Sequence, residues 1–100
     1  MTRRLIVRPV VRTELAEGSD WYSAINPKLG DEFIRAFEAA SAAITKNPFQ
    51  YQVVYRNARR VRLARFSYSL IYTVSDEEIV VVSCFHGRRD PRRWQERIPE

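Results

Sequence analysis

An apolar stripe in the first half of the sequence constrains the fold more than any other feature. Its members follow one another at steps of four, four, three and four residues: Leu29, Phe33, Phe37, Ala40 and Ile44. This spacing places every member on one face of an α-helix. Asp31 and Glu32 are predicted in the first turn of the helix and Lys46 in the last, which complements the helix dipole. Asn47-Pro48 ends the pattern, because the residue before a proline disfavours helical backbone.

A second helical pattern and a short strand precede this stripe. Apolar residues recur at helical spacing from Val11 to Ile25, with Gly18 in the middle, and Asn26-Pro27-Lys28 interrupts them. Before them, residues 3–8 alternate as in a strand, and Pro9, which lacks an N–H, closes it. Because so few residues connect the two helices, we expect an antiparallel hairpin that lays its shared apolar face on a sheet.

The second half of the sequence predicts three strands in an antiparallel meander: residues 59–66, 68–74 and 79–85. The acidic turn Ser75-Asp76-Glu77-Glu78 joins the last two. Ile79-Val80-Val81-Val82 is apolar at every position, which is typical of a central strand covered on both faces. A terminal helix is expected over residues 90–97, because Asp90 can cap it and Pro91 suits the first helical position.

These elements predict an α+β fold class: an N-terminal strand, an antiparallel helix hairpin packed on a largely antiparallel sheet of about four strands, and a short C-terminal helix. A chain of 100 residues with 45% hydrophobic content can bury one modest core, so we expect a single domain, residues 1–100. The longest apolar run, Ile79 to Val82, is far shorter than the run of about 20 residues that a membrane helix needs. With no cleavable leader after the basic N-terminus, we expect a cytoplasmic protein without a membrane partner.

The sequence predicts neither a disulfide nor a metal site. Cys84, the single cysteine, lies in an apolar run where a thiol behaves as a small buried hydrophobe. Cys84 and His86 together would leave a structural zinc site two ligands short, and the three glycines are too isolated for a phosphate loop. No serine–histidine–acid or cysteine–histidine arrangement stands out either. We therefore expect no metal, no cofactor and no small-molecule substrate.

Positive charge is concentrated in the second half of the chain. The net charge is +5, and residues 51–100 carry ten arginines against six acidic residues. The arginines form two clusters: Arg56, Arg59, Arg60, Arg62 and Arg65, then Arg88, Arg89, Arg92, Arg93 and Arg97. Arg60 and Arg62 are two apart in a strand and so share a face, which Ser69 and Arg88 could also reach. This surface could bind phosphates, or it could be a solvated face on which the aliphatic parts of the arginine side chains cover apolar surface.

Three residues near the C-terminus each allow a structural role beside a functional one. His86 is the single histidine available for acid–base chemistry, but it also suits a hydrogen-bonded group at a strand end. Asp90 could pair with an arginine, and we favour a role as helix cap. Trp94 could stack on a nucleobase, whereas a tryptophan near a terminus more often anchors the tail to the core.

Three sequence elements in this order resemble the RelE/ParE toxin superfamily over nearly the full chain. They are an arginine-rich strand at 59–65, a Phe-x-Tyr-x-x-x-Tyr segment at 66–72, and His-x-x-Arg-Asp-Pro-x-x-Trp at 86–94. The elements look like those of the ParE-like plasmid stabilisation branch, with a departure at Ser67, where that branch commonly has proline. The resemblance implies the toxin of a type II toxin–antitoxin system, which inhibits growth until a cognate antitoxin binds it.

The superfamily includes two activities on one fold. RelE-like members cleave mRNA on the ribosome, and ParE-like members are associated with poisoning DNA gyrase. If the chain is a nuclease, the resemblance implies Arg60, Arg62 and Arg88 as its catalytic residues. Ser69, however, stands where those nucleases have an arginine, and Trp94 stands near their terminal tyrosine. Arginine also stays protonated and is a poor general base, so the resemblance favours a toxin that is not an enzyme.

Three hypotheses follow: a toxin that acts on DNA gyrase, a ribosome-dependent mRNA endoribonuclease, and a non-toxic binding or regulatory module on the same fold. Target or anion binding is predicted at six residues: Arg59, Arg60, Arg62, Arg88, Arg89 and Trp94. The resemblance implies that the antitoxin binds in a groove. The outward-facing edges of four aromatic side chains would form its apolar lining: Trp21, Tyr22, Phe33 and Phe37. The arginines would attract the carboxylates of the antitoxin.

Overall fold

The computed structural model describes residues 2–99 of the chain. Within that range, five strands and three helices follow in the order β1 (Arg4–Val7), α1 (Pro9–Ile25), α2 (Pro27–Lys46), β2 (Val53–Tyr55), β3 (Ala58–Arg62), β4 (Tyr68–Val74), β5 (Glu78–His86) and α3 (Arg92–Gln95). None of the helices in this range is long and apolar enough to cross a membrane.

The strands form one mixed sheet in the order β1-β5-β4-β3-β2. β1 pairs in parallel with β5, and the other neighbours pair antiparallel. β5 is therefore an interior strand, and its residues Ile79, Val81 and Val82 are fully buried. The predicted α+β class, the helix hairpin, the antiparallel run β3-β4-β5 and the central place of β5 are confirmed.

Each face of the sheet packs against its own apolar cluster. Leu70 and Tyr72 belong to the cluster that contains Val11 and Phe33 of the helix hairpin. Ile71, between them on β4, belongs instead to a second cluster with Trp94 and other residues. Successive side chains of a strand point to opposite faces, so the hairpin covers one face and the C-terminal segment covers part of the other.

The two long helices approach each other closely. Asn26 alone separates them: its N–H donates to the Tyr22 carbonyl at the end of α1, and its side chain accepts from the Lys28 N–H at the start of α2. A Cβ on Gly18 would lie 2.7 Å from the Phe33 ring, and one on Gly30 would lie 2.9 Å from the Ser19 carbonyl oxygen. The glycine that weakens α1 as an isolated helix therefore permits its packing against α2.

The start of α2 differs from the prediction. The helix begins at Pro27, which occupies the first helical position, so Asp31 and Glu32 lie beyond the first turn. The apolar stripe begins only at Leu29 and could not reveal this earlier start. Lys46 does lie in the last turn, as predicted.

The strand boundaries in the second half also differ from the prediction. β2 was not expected, because three residues are too few to show a strand pattern. β3 ends at Arg62 rather than at residue 66, because the chain turns back there: the Leu63 N–H donates to the Tyr68 carbonyl, and Arg65 adopts a φ of 73°. The terminal helix is shorter than predicted and spans only Arg92–Gln95.

Candidate partner-binding surface

The structure divides the arginine clusters into engaged and open side chains. Arg59 is engaged: its guanidinium donates to the carbonyls of Tyr51 (2.6 Å) and Phe49 (3.3 Å) and lies 5.2 Å from the centre of the Phe49 ring. It ties the segment after α2 to the sheet. Because Nη1 of Arg59 already binds two carbonyls within the fold, Arg59 has fewer free donors for a target than an arginine without such contacts.

Other arginines of the two clusters are engaged as well. Arg65 pairs with Glu32 at 3.3 Å and Arg97 pairs with Glu14 at 3.2 Å. The guanidinium groups of five others have no hydrogen-bond or ion-pair acceptor within residues 2–99, and we call them the open arginines: Arg60, Arg62, Arg88, Arg89 and Arg93. All four arginines that were predicted beside Arg59 to bind a target therefore keep their guanidinium donors for a partner: Arg60, Arg62, Arg88 and Arg89.

Two residues of the predicted basic face lie on β3, with their side chains on the sheet face away from the helix hairpin. Arg60 and Arg62 alternate with Val61 on β3 and pair across the ladder with Ile71 and Ser69. Both line a groove of about 540 Å³ between β3 and α2, which we call the alanine groove. Neither Arg88 nor Arg89 lines it. The structure thus brings Arg60 and Arg62 together and leaves Arg88 outside their groove.

A second groove, of about 370 Å³, lies between α1 and the C-terminal segment, and we call it the α1 groove. Two open arginines, Arg89 and Arg93, line it together with Trp94. Glu17 of α1 and Glu96 of the C-terminal segment also line it, so its charge is mixed. Arg93 was not among the predicted site residues. The sequence does not show that Arg93 is open while the neighbouring Arg92 pairs with Asp90.

The free edge of β5 is closed by an ion pair that the sequence did not suggest. β1 pairs only as far as Val81, which leaves the next part of β5 without a neighbour strand on that side. The Cys84 N–H donates to Glu14 Oε1 (3.0 Å), and Arg97 donates to the Val82 carbonyl (2.8 Å) and to both oxygens of Glu14 (3.2 Å each). The two side chains thus satisfy main-chain groups that a neighbouring strand would otherwise pair.

Replacing Glu14 with alanine should lower the free energy of unfolding by about 1–3 kcal/mol, because the Cys84 N–H loses its acceptor and the partly buried Arg97 guanidinium loses its carboxylate partner. Urea denaturation followed by circular dichroism measures the change. Glu17→Ala is the matched control, since this exposed carboxylate lines the same groove and accepts no hydrogen bond from a main-chain group of residues 2–99. Equal urea midpoints for the two variants would contradict the role given to Glu14.

Trp94 and Asp90 have structural roles. Trp94 is only 5% exposed and packs edge-on against Tyr55 and Phe85, so it anchors the C-terminal segment to the sheet. Such a buried indole cannot stack on a nucleobase, which removes Trp94 from that predicted role. Asp90 Oδ1 accepts the Arg92 N–H at the start of α3, as expected of a cap. The hydrogen bonds from Arg92 also lower the pKa of Asp90.

His86 and Cys84 offer no nucleophile–base pair. His86 Nδ1 accepts the Arg88 N–H at 3.0 Å, and its ring packs edge-on against Tyr68. Cys84 is 2% exposed, and burial raises the pKa of its thiol to about 12. Among residues 2–99 there is also no group of three or more histidine, cysteine or acidic side chains arranged to hold a metal ion.

The stability of the fold should decrease as the pH rises above about 9. Burial raises the pKa of Cys84 from 9.0 to about 12 and that of Tyr72, whose hydroxyl donates to the Pro48 carbonyl, from 10.0 to about 12. The folded chain holds these protons more tightly than the unfolded chain. The two groups therefore contribute fully to the free energy of unfolding at a pH below their ordinary pKa values, and this contribution is lost as the pH rises to the raised values. Urea midpoints at about pH 8 and about pH 10.5 measure the loss.

The Cys84→Ala variant separates this effect from general alkaline denaturation. Because alanine cannot ionise, the variant should lose less stability between the two pH values than the unsubstituted chain loses. A wild-type midpoint that stays constant or rises at the higher pH would contradict the assignment.

The predicted antitoxin lining is only partly at the surface. Phe33 is fully buried, so it cannot present an edge to a partner, and we correct its role to that of a core residue. Trp21 is 66% exposed, and Ile25, one turn further along α1 and not predicted, is 64% exposed. Tyr22 and Phe37 are half-buried and pack against the hairpin cluster.

The fold and surface define a class of protein before any relative is considered: a small basic α+β chain with two surface grooves, each lined by open arginines. A family model described as the ParE toxin of the type II toxin–antitoxin system parDE matches residues 5–91. The chain belongs to this family.

Individual relatives agree with this assignment. Toxin ParE2 of Mycobacterium tuberculosis, in strains CDC 1551 / Oshkosh and ATCC 25618 / H37Rv, is 28% identical over 99 residues, which cover 98% of this chain and 94% of the relative. A chain from the solved structure of the chromosomal ParDE TA system from P. aeruginosa superposes with a TM-score of 0.75 at 16% sequence identity. The superposition covers 85% of this chain and 96% of the other, and it shows a shared fold.

Proposed function

We propose that the chain is the growth-inhibiting toxin of a type II toxin–antitoxin pair and that it acts in the cytoplasm as a single domain. Its proposed target is a macromolecule, with DNA gyrase as the first candidate, and a cognate antitoxin neutralises it. Membership of the ParE family supports the toxin role, and the names of its relatives support an antitoxin partner. The gyrase target rests on the resemblance to the ParE-like branch.

The observation that carries the proposal is the pair Arg60 and Arg62. Both lie on one strand beside a groove, and neither has an acceptor within residues 2–99. Guanidinium groups without internal partners keep all their donors for carboxylates or phosphates of another molecule. Such a pair suits recognition of a large anionic or acidic surface.

The surroundings of this pair favour binding over RNA cleavage. Ser69, the cross-strand neighbour of Arg62, is 8% exposed, and it stands where RelE-like nucleases have an arginine. Trp94, which stands near their terminal tyrosine, is buried against Tyr55 and Phe85. Arg60 and Arg62 stay protonated, so neither is suited to take a proton from an attacking hydroxyl.

Two assays with purified protein test the target. In the first, the chain is added to DNA gyrase and a supercoiled plasmid; we expect inhibition of supercoiling or accumulation of cleaved DNA. In the second, the chain is added to a translating extract, and we expect the mRNA to stay intact. Codon-specific cuts in the translated mRNA that disappear in Arg62→Ala would contradict the proposal and support the ribosome-dependent nuclease. No effect in either assay, together with no effect on growth, would favour a non-toxic binding module.

A further inference from the structure

The α1 groove continues into exposed apolar side chains on the same face of α1. Five residues of this helix follow one another at steps of four, three, four and four, which places them on one face: Val10, Glu14, Glu17, Trp21 and Ile25. The first three line the groove, and the last two lie beyond its end. Val10 is 39% exposed, Trp21 66% and Ile25 64%. One face of α1 thus carries a groove and, one turn further along, a large apolar side chain that the fold leaves mostly in solvent.

The charges of the α1 groove are balanced although the chain is basic. Its lining includes three carboxylates and three guanidinium groups, whereas the whole chain carries a net charge of +5. Glu14 and Arg97 pair with each other. The other four charged side chains are exposed, two of each sign: Glu17, Glu96, Arg89 and Arg93. Two basic surfaces repel each other, but a surface that exposes both signs can face a copy of itself with opposite charges in contact.

We propose that the α1 groove binds a second copy of this chain, so that the Trp21 side chain of each copy enters the groove of the other. A twofold axis that crosses α1 midway between Val10 and Trp21 brings Trp21 of one copy opposite Val10 of the other. The reason is that both residues then lie about 8 Å from the axis, at a rise of 1.5 Å per residue. This inference does not depend on the proposed target.

The groove suits the indole of Trp21. Its volume of about 370 Å³ leaves room for the ring, and Val10 supplies an apolar contact. The open arginines Arg89 and Arg93 can stack on the face of the ring. Tryptophan side chains that enter a pocket at the centre of an interface often contribute most of the binding energy. The twofold axis makes this contact twice.

The lining of the groove disfavours other occupants. A nucleic acid would bring its phosphates close to Glu17 and Glu96, which repel them. A small molecule could enter the groove, but Trp21 lies beyond the end of the groove and would stay in solvent. A second copy uses the groove, the charges of both signs and the exposed indole together.

Charge reversal in two separate variants tests the symmetric contact. Glu17→Arg/Glu96→Arg makes the four exposed charges of the groove positive, and Arg89→Glu/Arg93→Glu makes all four negative. We expect the dissociation constant of each variant's homodimer to rise at least about tenfold, because like charges then face each other. An equimolar mixture of the two variants should form a heterodimer, since opposite charges meet again. Both variants keep a net positive charge, so overall attraction cannot cause this association.

Sedimentation velocity of the purified chain without antitoxin measures the dimer, and circular dichroism shows that each variant is folded. Trp21→Ala removes the side chain that enters the groove and should also raise the dissociation constant at least about tenfold. The control Asp31→Arg/Glu38→Arg makes the same change of charge as Glu17→Arg/Glu96→Arg at exposed positions of α2 outside the groove. This control should dimerise as the wild type does.

A wild-type chain that stays monomeric up to about 0.1 mM would overturn the inference. A dimer that none of the groove variants weakens would overturn it too, because another surface would then hold the two copies. The same holds if the mixture of the two charge variants stays monomeric while the wild type dimerises. If the chain alone is monomeric and Trp21→Ala weakens binding of the antitoxin instead, Trp21 belongs to that partner and the inference is wrong.

Discussion

Replacing Phe33 with alanine should lower the free energy of unfolding by about 3–5 kcal/mol. The Phe33 ring is fully buried, and its centre lies 4.9 Å from that of Tyr68 and 5.4 Å from those of Tyr22 and Phe66. It also fills the space that Gly18 leaves open at the contact between α1 and α2. Removing the ring leaves a cavity between the hairpin and the sheet, which such a closely packed core cannot fill by relaxation. Urea denaturation measures the loss.

Trp21→Ala is the contrasting variant. Trp21 is 66% exposed on α1, so its removal should change the free energy of unfolding by no more than about 0.5 kcal/mol. If Trp21 contacts the antitoxin, the same variant should bind it more weakly. A Phe33→Ala chain as stable as Trp21→Ala would show that Phe33 is not part of the core.

The double variant Arg60→Ala/Arg62→Ala should keep its fold and lose growth inhibition. Neither guanidinium has a partner within residues 2–99, so removing both should change stability by no more than about 0.5 kcal/mol. The target would lose its contacts with both guanidinium groups, and contacts to charged groups are among the strongest hydrogen bonds. Melting curves and growth curves after induced expression measure the two effects.

The matched control is Arg12→Ala/Arg35→Ala. Both of these arginines are exposed, on α1 and α2, and their removal lowers the net charge by the same amount. The control should remain as toxic as the wild type. If the Arg60/Arg62 variant is folded and fully toxic, these arginines are a solvated surface and not a binding site.

The sequence predicts those parts of the fold whose patterns are long. The stripe from Leu29 to Ile44 and the continuous apolar run at Ile79–Val82 each repeat a signal over several residues, and α2 and β5 lie where these patterns indicate. β2 has only three residues and forms because β3 lies beside it. Its pairing depends on tertiary contacts, which a local pattern cannot show.

The candidate site could be predicted only in part, because an arginine's role depends on residues far away in sequence. Arg59 and Arg60 are neighbours in sequence, but the Arg59 guanidinium donates to the carbonyls of Phe49 and Tyr51. The Arg60 guanidinium, in contrast, is open. Arg97 finds its partner Glu14 at a separation of 83 residues. Phe33 likewise belongs to an apolar stripe whose members share one face, and the stripe alone does not show which of them the sheet covers completely.

Induced expression with and without the antitoxin tests the central claim most directly. The chain is expressed from a tight promoter in cells that lack the neighbouring open reading frame, and growth, DNA-damage signalling and protein synthesis are followed together. The proposed function predicts growth arrest with DNA-damage signalling while protein synthesis continues at first, and recovery of growth when the neighbouring product is expressed as well. Normal growth of cells that accumulate the folded chain, or an arrest that begins with protein synthesis and leaves DNA intact, would contradict it.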